Sequence, residues 1–166
     1  SRLATNHHPC RLILAGSGVT HDSEGEAVLA QVLETAGSDP DIHVLQLPPE
    51  ADLEINALQR AATIVFQKSI REGFNVAVAE AMWKGKPVIG STAGGIAAQI
   101  VDGVTGHTVH SAEGMAFRTR LLLNNPSLMQ RMGGAGREHV RRNFLVTRHL
   151  SDFLTLMKLF EKRLKD

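Results

Sequence analysis

Short apolar runs alternate along this chain with segments in which apolar residues recur at helical spacing. The runs are continuous, which is typical of strands buried on both faces of a sheet, and they cover residues 12–15, 42–47, 64–66 and 88–89. The segments between and after them predict helices over residues 25–36, 53–62, 76–83 and 96–101. Residues 104–109 add a short edge strand. Because strands joined by helices form right-handed crossovers, the pattern predicts a doubly wound, Rossmann-like α/β fold with a parallel sheet and helices on both faces.

Beyond Ser111 the pattern is helical throughout. Ser111 is a suitable N-cap, and Asn124-Asn125-Pro126 separates the helix that follows from the next one. A final amphipathic helix is predicted over residues 146–164. No linker or repeat interrupts the chain, so residues 1–166 are predicted to form a single domain. Since no initiator Met precedes the first strand, we expect the chain to be a segment of a longer protein.

The charge balance argues against two classes of partner. The net charge is +1, which provides no bulk attraction to nucleic acid or to a membrane surface. No apolar run approaches the ~18 residues that a membrane-spanning helix needs. Cys10 is the only cysteine, so no internal disulfide can form, and a reducing, cytoplasmic location is expected.

Ligands of open parallel sheets bind beyond the carboxyl ends of the strands. In this chain those ends lead into residues 16–24, 47–52, 67–75 and 91–95. Gly16-Ser17-Gly18 is half of a dinucleotide-binding fingerprint, because the third glycine would fall at His21. Two interpretations stay open for Gly16 and Gly18: contact with a phosphate and a plain tight turn.

The loop containing Glu72-Gly73-Phe74-Asn75 is the stronger candidate. Asn75 can cap the following helix, whose start presents free N–H groups and a positive dipole end to an anion such as phosphate. Gly73 permits a close approach of backbone to ligand. Glu72 and Glu80, eight positions apart, are suited to accept hydrogen bonds from neutral hydroxyls. Phosphate on the amides and hydroxyls on the acids describe a nucleotide sugar.

Plainer interpretations exist for the same residues. Glu72 can be a solvated acid beside an ordinary capped helix, and Glu80 can mark the water-facing edge of an otherwise apolar helix. Lys68 and Arg71 are either solvated or able to reach a diphosphate from a ligand-end loop.

Aromatic and histidine side chains are expected to be structural. Phe74 and Trp83 are predicted to lie in the core rather than to stack on a base. The eight histidines are scattered, without a third ligand or an acidic partner at helix spacing. We therefore expect them at the surface or hydrogen bonded in the core, and we predict no metal site.

A set of motifs runs through the middle of the chain: Glu72-Gly73-Phe74, Glu80-Ala81-Met82, Gly85-Lys86-Pro87-Val88-Ile89, Gly94-Gly95 and Asp102-Gly103-Val104-Thr105-Gly106. Together they resemble the donor-binding lobe of retaining glycosyltransferases of the two-Rossmann GT-B architecture, family four. The strings at residues 69–74, 82–87 and 99–103, with His21-Asp22 and Glu24-Gly25, are most similar to the branch of trehalose glycosyltransferring synthases and trehalose phosphorylases.

The resemblance implies transfer of a glucosyl-type sugar from UDP-glucose or ADP-glucose to a sugar acceptor with net retention, trehalose being one product. It places Glu72 as the catalytic residue on the donor-sugar hydroxyls and Glu80 on the ribose hydroxyls. No cofactor beyond the nucleotide-sugar substrate is implied. Two alternatives stay open: the equivalent lobe of a trehalose phosphorylase, and a non-catalytic nucleotide- or sugar-binding module.

The other residues expected to bind the donor are Gly16, Gly18, Leu47, Pro48, Lys68, Arg71, Gly73, Phe74 and Asn75. By resemblance, Leu47 and Pro48 lie by the nucleobase, and the amides of residues 73–75 contact the sugar and the diphosphate. Asn75 departs from the pattern, since the family usually has glycine there.

Two parts of the family's lobes are missing from the chain. Nothing before Arg11 matches the strand and loop that carry an Arg and a Lys clamp for the diphosphate, and the acceptor-binding N-terminal lobe is absent. The isolated chain is therefore expected to be inactive and to meet the acceptor only through that lobe. The last helix is expected to cross to it, and its apolar stripe, exposed here, favours a homo-oligomer.

Overall fold

A computed structural model describes residues 9–17 and 23–163. The chain forms two compact units, residues 1–58 and 59–166. The expectation of a single domain remains a prediction. None of the helices in the described ranges is long and apolar enough to cross a membrane.

The first unit contains a two-stranded parallel sheet. Its elements in chain order are β1 (Leu12–Ser17), α1 (Ser23–Ala36), β2 (Ile42–Leu47) and the start of α2 (Asp52–Ala61). β1 and β2 pair from Leu12 with Ile42 to Ser17 with Leu47. The prediction that these strands are buried is wrong, since Ile13 is 47% exposed and Leu45 is 37% exposed. The reason is that two strands present more apolar surface than the neighbouring described helix α1 covers.

The second unit contains a three-stranded parallel sheet in the order β3-β4-β5. Its elements are β3 (Val65–Gln67), α3 (Val76–Trp83), β4 (Val88–Ser91), α4 (Gly94–Gln99), β5 (His107–Val109), α5 (Ala112–Leu123), α6 (Pro126–Asn143) and α7 (Val146–Arg163). The edge strand predicted over 104–109 is shorter, because Gly103 adopts a φ of +76° in the turn before it and Asp102 bridges to Gly106.

The sheet of the second unit is covered on both faces, as the periodicity predicts. Val88 and Ile89 are consecutive in β4, so their side chains point to opposite faces. Val88 packs in one core with α3 and α4 residues such as Met82 and Ile96. Ile89 packs in the other with Leu122 of α5 and its neighbours. The α/β class with parallel strands and flanking helices is confirmed.

The helical C-terminal segment begins and breaks where the sequence predicts. The Ser111 hydroxyl accepts a hydrogen bond from Gly114 N at 3.1 Å and caps α5. Asn125 caps α6 through Leu128 N at 3.0 Å, with Pro126 in the first turn. α7 differs from the other helices of this segment because no residue in its described span is buried.

Candidate functional site

The loop from β3 to α3 carries most of the residues predicted to bind the donor, and the β4–α4 loop holds it in place. The Ser91 hydroxyl donates to the Ser69 carbonyl at 2.6 Å, and Gly95 N donates to the Glu72 carbonyl at 2.8 Å. A β-carbon on Gly95 would overlap the Gly73 carbonyl and lie 2.8 Å from Phe74 N. The close packing of these two loop backbones therefore requires glycine at position 95, which explains part of the Gly94-Gly95 motif.

Asn75 is the N-cap of α3, as predicted. Its φ and ψ are −102° and 105°, and its Oδ1 accepts a hydrogen bond from Val78 N at 3.0 Å. The Asn75 amide donates to Gln99 Oε1 at 2.9 Å, and Gln99 Nε2 donates to the Asn75 carbonyl at 3.0 Å. The amide is thus engaged inside the protein, which differs from the expectation that it contacts the donor. Gln99 was not singled out by the sequence because a lone Gln in a short helix carries no signal.

Glu72 lies in the same loop with a partly buried side chain. Its Oε2 accepts a hydrogen bond from Asn75 Nδ2 at 2.8 Å and a longer one from the Ser69 hydroxyl at 3.4 Å. Ser69 in turn accepts from Gln67 Nε2 at 3.1 Å. The carboxylate is therefore held by the loop itself and is not a free solvated side chain.

Glu80 lies in α3 and is supported by two partners. Its Oε2 accepts a hydrogen bond from Gln59 Nε2 at 3.1 Å and lies 4.0 Å from Lys84 Nζ. Lys84 Nζ also donates to Gln59 Oε1 at 2.5 Å. The Glu80 side chain is 45% exposed, so its acid keeps access to solvent or to a ligand and escapes the cost of full burial.

The start of α3 offers donors for an anion. Val76 and Ala77 occupy the first two helical positions, where the amides have no partner within the helix. Lys68 and Arg71 are exposed on the preceding loop, and no ion pair joins either of them to another residue in the described ranges. The loop therefore combines a held carboxylate, helix-start amides and two solvent-facing cations.

Phe74 and Trp83 are not core residues, contrary to the sequence interpretation. Phe74 is 50% exposed and meets Phe144 edge to face, with ring centroids 5.7 Å apart. Trp83 is 39% exposed, and the Arg137 guanidinium lies 5.3 Å from its ring centroid. Both rings cover the ends of α3, where periodicity alone does not separate a half-covered face from a buried one.

An open cavity of about 380 Å³ adjoins Phe74. Its walls are Phe74, Asn143, Phe144, Leu145, Val146 and His149. It is formed by the junction of α6 and α7 and contains neither Glu72 nor Glu80, so it is separate from the two acids.

The other predicted donor residues lie in the first unit. Gly16 is in β1 and pairs with Gln46, one position before the end of the strand. Leu47 ends β2, and Pro48 follows it exposed, accepting a hydrogen bond from Ala51 N at 3.1 Å. These residues stand at the carboxyl ends of neighbouring parallel strands, as predicted. Gly18, His21 and Asp22 lie outside the described residues.

His107 is a buried histidine with an acidic partner that helix spacing did not reveal. It is 2% exposed, and its Nδ1 lies 3.3 Å from Asp102 Oδ1, while its buried Nε2 has no hydrogen-bond partner among the described residues. Burial lowers the pKa of His107 against the opposing effect of Asp102. Burial acts to raise the pKa of Asp102, but the Thr108 amide, His107 and Arg118 together lower it.

A metal site was not predicted, and among residues 9–17 and 23–163 no three His, Cys, Asp or Glu side chains are grouped as metal ligands.

The chain is similar in sequence to known glycosyltransferases and to trehalose-converting enzymes. The sequence profile described as "Glycosyl transferases group 1" matches residues 1–139. The trehalose synthase of Pyrococcus horikoshii is 43% identical over 148 residues, which cover 89% of this chain and 36% of that protein. The trehalose phosphorylase of Pleurotus pulmonarius is 35% identical over 143 residues, covering 81% of this chain and 19% of that protein. The chain thus spans little more than a third of the first of these relatives and less of the second.

Solved structures share the fold. Sucrose-phosphate synthase from Thermosynechococcus elongatus superposes with a TM-score of 0.75 at 26% identity, over 92% of this chain and 39% of that chain. Anabaena HepE, solved in complex with UDP, has a TM-score of 0.75 at 22% identity, over 90% of this chain and 41% of that one.

Proposed function

The chain belongs to the glycosyl transferases group 1 family, and we propose that it is the donor-binding lobe of a retaining hexosyltransferase. The complete protein would move a glucosyl-type sugar from UDP-glucose or ADP-glucose to a sugar acceptor. The trehalose synthase relative, 43% identical, favours a reaction that forms trehalose. That relative is much longer than this chain, and we propose that the complete protein also contains an acceptor-binding lobe.

The observation that carries the proposal is the held carboxylate of Glu72 directly before the start of α3. The amides of Val76 and Ala77, with the positive end of the helix dipole, suit the diphosphate. A carboxylate at the same place repels phosphate and suits neutral hydroxyls, so Glu72 accepts hydrogen bonds from the donor sugar. One loop thereby distinguishes a sugar nucleotide from a bare nucleotide.

The remaining roles are proposed from this arrangement and from the family resemblance. Glu80 holds the ribose hydroxyls, and its fixed position between Gln59 and Lys84 supports that role. Lys68 and Arg71 face solvent on the same loop and approach the diphosphate. Gly73 and Phe74 offer backbone amides to the sugar and the diphosphate.

The first unit supplies further residues that the family resemblance assigns to the donor. By that resemblance, Gly16 and Gly18 are proposed to contact the donor, and Leu47 and Pro48 the nucleobase. UDP is the first nucleotide to test, because HepE, which shares the fold, was solved with UDP and with UDP-glucose.

A phosphorylase lobe is the second candidate, favoured by the 35% identity to a trehalose phosphorylase. It would use phosphate where the transferase uses the nucleotide. Competition between phosphate and nucleotide for one site separates the two reactions. A non-catalytic binding module, the third candidate, predicts nucleotide binding without transfer even in the full-length protein.

α7 is proposed to pack against the acceptor lobe in the complete protein. Its apolar side chains Leu150, Phe153, Leu154, Met157 and Phe160 are each more than half exposed. In the isolated chain the same face is proposed to drive self-association.

A ligand panel tests the proposal. The chain is titrated by calorimetry and thermal shift with UDP, ADP, GDP, their glucose conjugates, trehalose and phosphate. A nucleotide sugar at 100 times its dissociation constant stabilises the fold by about 2.7 kcal/mol. Glu80→Ala should abolish nucleotide binding, while Glu26→Ala, an exposed acid on α1, should not change it. Failure of every nucleotide to bind this chain and a full-length version would overturn the proposal.

A further inference from the structure

The Asn75 side chain makes two hydrogen bonds, one with Val78 N at the start of α3 and one with the Glu72 carboxylate. We infer that Asn75 is a positioning residue that sets the orientation of the Glu72 carboxylate for the donor sugar. The inference rests on the proposed function and deepens it, because it assigns the sugar selectivity of the site to a side chain that does not itself touch the sugar.

The orientation of the Asn75 amide group follows from its partners. Val78 N can only donate, so the Asn75 atom 3.0 Å from it is the oxygen. The nitrogen then faces Glu72 Oε2 at 2.8 Å and donates to it. An Asn in this place therefore caps the helix with one atom and binds the carboxylate with the other.

The backbone of Asn75 is fixed as firmly as its side chain. Gln99, which is fully buried, accepts from the Asn75 amide at 2.9 Å and donates to the Asn75 carbonyl at 3.0 Å. Two bonds to one partner prevent the residue from rotating about its backbone. The side-chain nitrogen consequently points to Glu72 in one direction.

The bonds on Glu72 leave one carboxylate oxygen for a ligand. Oε2 accepts from Asn75 and, at 3.4 Å, from the Ser69 hydroxyl, which together use its two lone-pair directions. Oε1 has no hydrogen-bond partner among the described residues. Oε1 is therefore the oxygen that accepts hydrogen bonds from the sugar hydroxyls. Its direction is set by the hydrogen bond from Asn75 Nδ2 to Oε2.

Asn75→Asp separates the positioning role from the capping role. Asp is as good an N-cap as Asn, so the bond to Val78 N and the stability of α3 should persist. The second oxygen of the introduced carboxylate, however, faces Glu72 Oε2 and repels it. Asn125→Asp at the N-cap of α6 is the matched control, because Asn125 caps through Leu128 N at 3.0 Å and makes no hydrogen bond to a carboxylate of the described residues.

Calorimetry on the full chain measures the affinities for UDP-glucose and UDP. Above about pH 7, Asn75→Asp should weaken UDP-glucose binding by about tenfold or more, the effect of losing a charge-assisted hydrogen bond, and leave UDP binding unchanged. Near pH 5, two neighbouring carboxyls share a proton that restores a donor to Glu72, so UDP-glucose affinity should recover. Wild type and Asn125→Asp should show neither effect.

Asn75→Ser supplies a second variant, which keeps a capping oxygen without adding charge. It should also weaken UDP-glucose relative to UDP, with no recovery at the lower pH. Equal UDP-glucose affinity in wild type, Asn75→Asp and Asn75→Ser at both pH values would overturn the inference and leave the proposed function standing. Absence of nucleotide binding by the wild-type chain and its full-length version would overturn the proposed function, and the inference with it. If ADP is the nucleotide that binds, ADP and ADP-glucose replace UDP and UDP-glucose in these titrations.

Discussion

The carbonyl oxygen of Gly85 occupies the space that a β-carbon on Gly133 would need. Gly85 turns the chain from α3 into β4 with a φ of +71°, and Gly133 lies in α6, which packs against that turn. Gly136 continues the contact one helical turn later, where a β-carbon would lie 3.1 Å from the Thr105 carbonyl. α6 thus approaches the segments that precede β4 and β5 at backbone distance.

Gly133→Ala and Gly134→Ala should change stability in opposite directions. At Gly133 the added methyl forces α6 away from the turn, at a cost of about 1–3 kcal/mol. At Gly134 the added methyl meets no described atom within 4 Å outside its chain neighbours and the adjacent backbone of its own helix, and removing a helical glycine gains up to about 1 kcal/mol. Urea denaturation of the two variants measures both changes. A Gly133→Ala variant as stable as Gly134→Ala would contradict this packing.

Gly95→Ala should weaken donor binding, because its methyl overlaps the Gly73 carbonyl and displaces the loop that carries Glu72. Gly94→Ala is the control, since the nearest atom to its methyl is the Glu72 carbonyl at 3.9 Å, an ordinary contact. UDP-glucose titration of both variants measures the difference. Equal affinities would show that the loop tolerates displacement.

Acid should destabilise the second unit through His107. Its pKa is lowered in the folded state, so between the folded pKa and the ordinary value near 6.5 the unfolded chain binds the extra proton. The stabilising contribution is therefore present above about pH 6.5 and is lost as pH falls toward the lower folded pKa. Protonation would place an N–H at the buried Nε2, for which the described part of the chain offers no acceptor.

Denaturation midpoints measured at several pH values test this, with His107→Gln as the comparison. The substitution removes the titrating group, so the slope of stability against pH should flatten below about pH 6.5. His110→Gln, which replaces an exposed histidine three positions further along the chain, is the matched control. An unchanged slope in His107→Gln would assign the acid sensitivity to other groups.

The isolated chain should self-associate through α7. Phe153→Glu with Met157→Glu places two charges on the apolar face and should yield a monomer. Ser151→Glu with Thr155→Glu adds the same charge to the opposite, polar face of the helix and should retain the oligomer. Sedimentation over a range of concentrations measures both. A wild-type chain that stays monomeric at every concentration would refute the role of this face.

Much of the architecture follows from sequence because its signals are local. The strands predicted at 42–47 and 88–89, the cap at Ser111 and the break at Asn124-Asn125-Pro126 depend on neighbouring residues alone. The two acids were also recognisable, Glu72 beside a helix start and Glu80 as a lone acid in an apolar helix.

What the sequence could not provide depends on distant partners. Gln59 supports Glu80 from 21 positions away, and Asp102 reaches His107 across a turn instead of along a helix. The exposure of Phe74 depends on how much of its face the helices α6 and α7 cover. None of these relationships leaves a periodic pattern in the chain.

Gln99 supplies its own primary amide to the backbone of Asn75, much as a peptide group of an adjacent strand would, from 24 positions downstream. The conformation of the β3–α3 loop is therefore determined by two separate stretches of sequence. A graft of residues 67–83 into another scaffold would carry both acids and lose the conformation that aims them. Moving this site to a new protein requires transferring residues 91–99 together with it.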